Sequence, residues 1–421
     1  MRPILKPGLS RVWLDADTLQ LGRGARRRVH RLDAALRGLF EALDGTRETE
    51  ALLSYGARLG LTGERVLGLL ERLALDGALD DASLPTPGLA RLTAAERARL
   101  APVVSALGLR NRLPGGGARA LERRAQQQVV VHGLGLIGAH VARQLAAAGV
   151  GMVRPLDLGL AEHQDTGPGA LDPADVGSRR QEAVIRAIQR DTPCTRVAPA
   201  QHGRRPDLVV LAPVERYPVE FFAQLVETGV PHLLVRPTED EALVGPLVLP
   251  GRTPCVRCVD LHRSEQDPSW PRYLSQLGSP RPGEVPPRDT GLALLAAAYA
   301  VQYALTYLDG GEPPALGAVV CLRPPDAAPI RIEVEAHTAC GCDAVLAGRD
   351  TPDPPDPPVA PGAPNPPDTP GTPDTPVTER APAADGPKSG PAGTPDVPAH
   401  APGRRAPIPA PGDFVRNDLL E

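Results

Sequence analysis

Val130-Val-His-Gly133-Leu-Gly135-Leu-Ile-Gly138 is the stretch that decides the fold. A run of β-branched residues ends in glycines spaced G-x-G-x-x-G, and an apolar pattern of helical period follows. A strand, a tight turn and a helix N-terminus in that order let backbone amides approach a phosphate, where the helix dipole favours negative charge. The motif alone is equally satisfied by a close-packed turn that binds nothing. It does not choose between NAD, FAD and ATP.

Working outward, strand patterns over residues 128–132, 152–157, 208–212 and 232–235 alternate with helical patterns over 137–148, 178–189 and 219–229. That alternation predicts an α/β domain, about residues 121–345, with a parallel sheet and helices on both faces. Asp157 closes the second strand, at the distance from the glycines where a carboxylate accepts hydrogen bonds from a ribose.

The six cysteines sharpen the chemistry. Cys255-Val-Arg-Cys258 and Cys340-Gly-Cys342 are two short-spaced pairs, each able to close one edge of a tetrahedral site, so Cys255, Cys258, Cys340 and Cys342 are predicted to hold Zn2+. Four thiolates leave no open coordination position, which makes the zinc structural. Cys321, in the apolar run Val319-Val-Cys-Leu322, reads as a small buried hydrophobe, and Cys194 as an exposed thiol.

Upstream, short strands around Val12-Trp13-Leu14, Leu19-Gln20-Leu21 and Arg28-Val29-His30 precede three helices. The helices end at Gly45, Gly60 and Gly77, and the third carries Val66, Leu67, Leu69, Leu70 and Leu73 on a stripe. Three strands and three helices within residues 1–85 predict a winged helix, a small α+β domain. Residues 86–120 read as a helical linker, with Thr93-Ala-Ala-Glu96 a capping box and Leu113-Pro-Gly-Gly-Gly117 a loop. From 346 to 421 Pro, Asp, Thr, Gly and Ala dominate, a composition that cannot bury enough apolar surface to order itself, so a disordered Pro-rich tail is expected.

Net charge is −4, which argues against a general nucleic-acid coat. The N-terminal residues lack a secretory apolar run, and the apolar stretch 292–308 is interrupted by Tyr299, Gln302, Tyr303 and Thr306. That stretch reads as a buried or dimer-interface helix; no membrane partner, a cytoplasmic location and a homodimer are expected.

Together, the glycine turn, Asp157, the run Val244-Gly-Pro-Leu-Val-Leu-Pro250-Gly-Arg-Thr-Pro-Cys255-Val-Arg-Cys258 and the Cys-x-Cys pair resemble the ThiF-like, ubiquitin-activating superfamily over about residues 121–345. The resemblance implies a Rossmann-like domain with the zinc on those four cysteines. Active members adenylate a C-terminal carboxylate with ATP and Mg2+, which needs cations around the phosphates. Here the arginine and asparagine usual after the ribose acid are missing from Asp157-Leu-Gly-Leu-Ala-Glu-His-Gln-Asp-Thr-Gly167. In Asp175-Val-Gly177-Ser-Arg-Arg180, Arg180 stands where the family has a phosphate-binding lysine. Val214 stands where it has the magnesium-holding aspartate, with Glu215 beside it. The resemblance thus implies a nucleotide site at Gly133, Gly135, Gly138, Asp157 and Arg180 whose adenylation is lost, and leaves ATP and Mg2+ binding open.

A winged-helix-like domain joined to a degenerate ThiF-like domain resembles the leader-peptide-binding partner of YcaO-type, azoline-forming cyclodehydratases. That resemblance implies that a precursor leader peptide adds as a strand beside the third strand and packs on the third helix. The groove would lie between Arg26, Arg27, Arg28, Val29 and Arg31 and the helix carrying Arg65, Leu69 and Arg72, basic enough for an acidic leader. Two competing readings are an active adenylyltransferase acting on a sulfur-carrier or ubiquitin-like protein and a DNA-binding winged helix. The near-neutral balance of residues 1–85 disfavours the second.

Overall fold

A computed structural model describes residues 1–23, 28–29, 32–197, 204–213, 219–276, 287 and 289–342. The expected tail from 346 onward lies outside them. Near the N-terminus are β1 (Pro3–Leu5), β2 (Arg11–Trp13), β3 (Leu19–Leu21), β4 (Arg28–Val29), α1 (Ala34–Glu41), α2 (Thr49–Arg58), α3 (Gly63–Leu75) and β5 (Leu79–Asp81). Strands β2, β3 and β4 form the antiparallel sheet expected from the sequence. In addition, β1 pairs antiparallel with β5, joining the two ends of this region. Asp33 and Thr62 cap α1 and α3 by accepting the amides of Leu36 and Arg65, interactions worth about 1 kcal/mol each. A common apolar core takes Leu19 and Leu21 from the sheet and Val66, Leu69, Leu70 and Leu73 from α3. Leu67, grouped with that stripe by sequence, is 48% exposed, outside the face that Val66, Leu69, Leu70 and Leu73 bury.

The next stretch holds α4 (Pro87–Ala90), α5 (Ala94–Arg110) and α6 (Gly116–Gln126). Thr93 caps α5 as its sequence predicts. Helix α6 was not legible: it begins inside the glycine run read as a loop and crosses residue 120, where the linker was expected to end.

The larger part begins with β6 (Gln128–His132), α7 (Leu136–Ala147), β7 (Met152–Leu156), α8 (Arg180–Asp191) and β8 (Arg196–Val197). It continues through β9 (Leu208–Leu211), α9 (Val219–Glu227), β10 (His232–Pro237), β11 (Ala242–Val248), α10 (Val256–Gln266) and α11 (Trp270–Gln276), and ends with α12 (Thr290–Leu308), β12 (Ala318–Leu322) and β13 (Pro329–Glu333). The strands form one eight-stranded sheet in the order β13-β12-β11-β10-β9-β6-β7-β8. Pairing is parallel from β8 to β10 and antiparallel from β10 to β13. The four strands expected from the sequence, β6, β7, β9 and β10, pair parallel as expected, and β11, β12 and β13 extend the sheet antiparallel, since β10 and β11 are joined by a connection too short for a parallel crossover.

Side chains alternate between two cores, as a period of two demands. Val129 and Val131, Leu208 and Val210, and Val320 and Leu322 face a core shared with α7, α8 and α12, whereas Val130, Val209, Leu211, Val319 and Cys321 face one shared with α9 and α10. Helix α12 meets the length and hydropathy of a membrane span, yet its Ala293, Ala296, Ala297, Ala300 and Ala304 are buried in the first core, so it serves here as a core helix. Strand order reverses between β6 and β9, which places a crevice at their carboxyl ends.

Candidate functional site

The glycine turn sits at that crevice. Gly133 has φ +84°, and a Cβ there would lie 2.1 Å from the carbonyl oxygen of Ala212, at the end of β9. At Gly138 a Cβ would fall 1.7 Å from the Gly133 carbonyl oxygen. Both positions are closed to any side chain by backbone contact. Gly135, by contrast, has φ −68° as the N-cap of α7, a conformation open to any residue.

Asp157 follows β7 and is held firmly. Its Oδ2 accepts the Leu134 amide at 2.6 Å, and its Oδ1 accepts the Gly159 amide at 2.7 Å. Arg180, 1% exposed, directs Nη1 to Asp157 Oδ1 at 3.6 Å, Nε to Asp165 Oδ2 at 2.7 Å and Nη2 to Glu162 Oε1 at 3.9 Å. Asp165 is fully buried. The structure brings Gly133, Gly138 and Asp157 together, and the guanidinium of Arg180 faces the carboxylates of Asp157, Asp165 and Glu162. A buried guanidinium is stabilised only by close anionic partners, and Asp165 supplies one.

Asp165, Glu162 and Gly159 were not foreseen. Glu162 and Asp165 form a reciprocal capping box around a single helical turn, His163–Asp165, a spacing visible in the sequence once that turn is known. His132 also borders the turn. Its ring centroid lies 5.1 Å from that of Phe221, its Nδ1 has no partner, and burial lowers its pKa. Val214 and Glu215 lie outside the described residues.

On the opposite face of the sheet, Cys255, Cys258, Cys340 and Cys342 are all buried, with their sulfurs within 4.8 Å of one another. Cys255 caps α10 and Cys258 lies in its first turn, so the helix start presents one pair; the chain after β13 returns the other. Sulfur separations are 3.9 Å for Cys255–Cys258, 3.4 Å for Cys255–Cys340 and 3.6 Å for Cys258–Cys342. A tetrahedron with metal–sulfur bonds of about 2.3 Å has edges of about 3.8 Å, so the cluster fits a metal ion without rearrangement. Cys258 is favoured as thiolate, its pKa pulled down to about 4 by the Cys255 thiol hydrogen bond and then by the His337 amide. Cys342 is pushed up to about 12, first by burial. A cation among the four sulfurs would resolve this imbalance by favouring all four thiolates.

A second cluster, His262, Glu265 and His337, lies along α10 from the cysteines. His337 Nδ1 accepts the Ala339 amide at 3.0 Å, so its proton resides on Nε2 and is donated to Glu265 Oε1 at 3.0 Å. With that lone pair absent, the cluster is a hydrogen-bonded brace for the loop that carries Cys340.

Part of the expected peptide groove falls outside the described residues. Arg26, Arg27 and Arg31 lie outside the described residues, and of Arg28 only the backbone, in β4, is described. Val29 and Leu69 are buried in the N-terminal core. Arg65 is half exposed and donates to Asp33 Oδ2 at 2.8 Å. Arg72 is exposed on α3, where Leu67 and Leu75, at 48% and 72% exposure, add an apolar element that sequence reasoning did not assign to a surface.

No known protein-family profile matches the chain, and no curated protein matches its sequence. Solved structures do match. The structure of E. coli MccB with AMPCPP and MccA is similar at TM-score 0.60 and 16% identity over 82% of this chain and 99% of that chain. E. coli MccB with ATP gives TM-score 0.59 and 16% identity over 81% and 99%. The structure of PaaA gives 0.52 and 19% over 64% and 91%. At such identities the likeness shows the fold alone, an α/β fold shared with MccB and PaaA.

Proposed function

We propose that this chain binds the leader segment of a ribosomal precursor peptide and presents it to a YcaO-type cyclodehydratase for azoline formation, its own adenylation being lost. Residues 1–85 would serve as a winged-helix-like peptide-recognition domain, 86–120 as a helical linker and 121–345 as the ThiF-like domain, with a Pro-rich tail beyond. Zn2+ on the four cysteines would be structural, and the working form a cytoplasmic homodimer.

The burial of Arg180 carries the loss of adenylation. Adenylyl transfer needs positive charge at the phosphates, and the cation expected to supply it is paired with Asp165 and Asp157. Support for a peptide ligand comes from the likeness to MccB, whose solved structures include complexes with MccA. On α3, Arg72 with Leu67 and Leu75 offers a cation beside apolar anchors, suited to an amphipathic acidic leader.

The test is a titration of full-length protein with the leader of each precursor encoded beside it, with and without ATP. Saturable leader binding that survives omission of ATP, with azoline formation only on adding a separate ATP-using partner, is expected. Failure to bind any such leader would sink the reading.

A second reading, an active adenylyltransferase, is favoured by the retained Gly133, Gly138 and Asp157 and by MccB structures that hold ATP or AMPCPP. Peptide-dependent exchange of pyrophosphate into ATP would establish it.

A further inference from the structure

We propose that Arg180 is a positioning residue for Asp157, so that the crevice reads the ribose of a ribonucleoside and draws no phosphate selectivity from this arginine. The proposal rests on the nucleotide reading of the glycine turn and departs from the phosphate-binding role that resemblance implied for Arg180.

Three observations carry it. First, the guanidinium is enclosed: Arg180 is 1% exposed and its Nε bonds to Asp165, itself fully buried. A phosphate would have to displace that carboxylate, leaving a buried charge unpaired. Second, Arg180 closes one side of Asp157 while Gly159 closes another. A Cβ at Gly159 would lie 2.4 Å from Arg180 Nη1 and 3.1 Å from Asp157 Oδ1, so the missing side chain is what lets guanidinium and carboxylate approach. Third, an ionised carboxylate offers about four acceptor positions. On Asp157, Oδ1 accepts the Gly159 amide and faces the Arg180 ion pair at 3.6 Å, whereas Oδ2 accepts the Leu134 amide alone, so Oδ2 is the oxygen left more open to a ligand. One acceptor suits one hydroxyl group, so the site should distinguish the two ribose hydroxyls from each other.

Binding of adenosine, AMP, ATP, 2′-deoxyadenosine and 3′-deoxyadenosine to the full chain tests this by calorimetry. Removal of one hydroxyl, but not of the other, should weaken binding by about tenfold or more. Two variants then separate the roles. Gly159→Ala pushes the guanidinium away from Asp157 without changing charge. The double variant Arg180→Met with Asp165→Asn removes the guanidinium without leaving a buried carboxylate alone, which protects folding. Both should abolish the hydroxyl preference and leave the ratio of ATP to adenosine affinity unchanged. Variants that lower the ATP-to-adenosine ratio while keeping the hydroxyl preference would make Arg180 a phosphate ligand and overturn the proposal. A wild-type chain that binds none of the five would instead remove the nucleotide reading on which it rests.

Discussion

Lys6 Nζ donates to the Gly108 carbonyl oxygen at 2.7 Å, bridging the residue that follows β1 and the end of α5 more than a hundred residues later. The same ammonium reaches the carbonyls of Asn111 at 2.7 Å and Arg112 at 3.2 Å, and Lys6 is only 2% exposed. A helix C-terminus presents carbonyls with no intrahelical donor, and a cation there is favoured by the dipole as well. Lys6→Met would keep the apolar stem and leave those carbonyls buried without their donor. We expect a loss of roughly 2–3 kcal/mol in denaturant unfolding, with faster proteolysis near residues 108–115 under native conditions. Unchanged stability would mean that water replaces the ammonium at no cost.

The cysteine cluster predicts a stoichiometry. One metal ion per chain should be found by elemental analysis, and Cys258→Ser or Cys340→Ser should lower that content and the melting temperature together, since metal binding contributes directly to folding. Cys321→Ser serves as the control: its sulfur donates to Glu241 Oε2 at 2.9 Å, away from the cluster. Equal metal content in all three variants would rule out the four-sulfur site.

At Gly138 an added methyl group would occupy the position of a backbone carbonyl, 1.7 Å from the Gly133 oxygen. Gly138→Ala must therefore separate α7 from the glycine turn. The expected outcome is destabilisation by about 2 kcal/mol or more and loss of any nucleotide affinity. Gly135→Ala, at an ordinary φ, should cost no more than about 1 kcal/mol, the penalty of Ala at an N-cap. Equal behaviour of the two variants would contradict the close packing described here.

These positions differ in how openly the sequence announced them. The cysteine pairs were legible because metal geometry imposes short spacings, and β6 and β9 because buried strands favour β-branched runs. Strand β11 was obscured by Gly245-Pro246 within it, and β13 by Ile330 and Arg331, exposed at the sheet edge. Helix α6 starts on glycines, which carry no helical signal of their own. Least visible was Arg180 with Asp165: the partners are 15 residues apart in an irregular segment, where no period links one to the other. Resemblance supplied a role for Arg180, and the packing of residues 157–165 around it is the ground of the positioning role proposed above.

His232 gives a pH-dependent prediction that tests the core itself. The ring is fully buried at the start of β10, stacked near Phe222 with centroids 6.3 Å apart. Its Nδ1 donates to the Val230 carbonyl at 2.9 Å while Nε2 has no partner, so the neutral form is the one the fold accommodates. Burial lowers its pKa from 6.5 to about 4, against a smaller opposing effect of the Val230 hydrogen bond. The sign follows from proton binding. Between those values the unfolded chain carries the proton and the folded chain does not, so stability is complete above pH 6.5 and falls as pH drops toward 4. The loss from this group amounts to roughly 3 kcal/mol over that window. His232→Phe removes the titration while filling a similar volume. The difference in unfolding free energy between wild type and variant should shrink in favour of the variant as pH falls from 7.5 to 4, even if the variant starts about 1 kcal/mol lower for want of the Val230 hydrogen bond. Taking the difference cancels the acid sensitivity of the cysteine cluster, which both proteins share. Parallel stability curves across that range would show that His232 is not buried as the neutral ring.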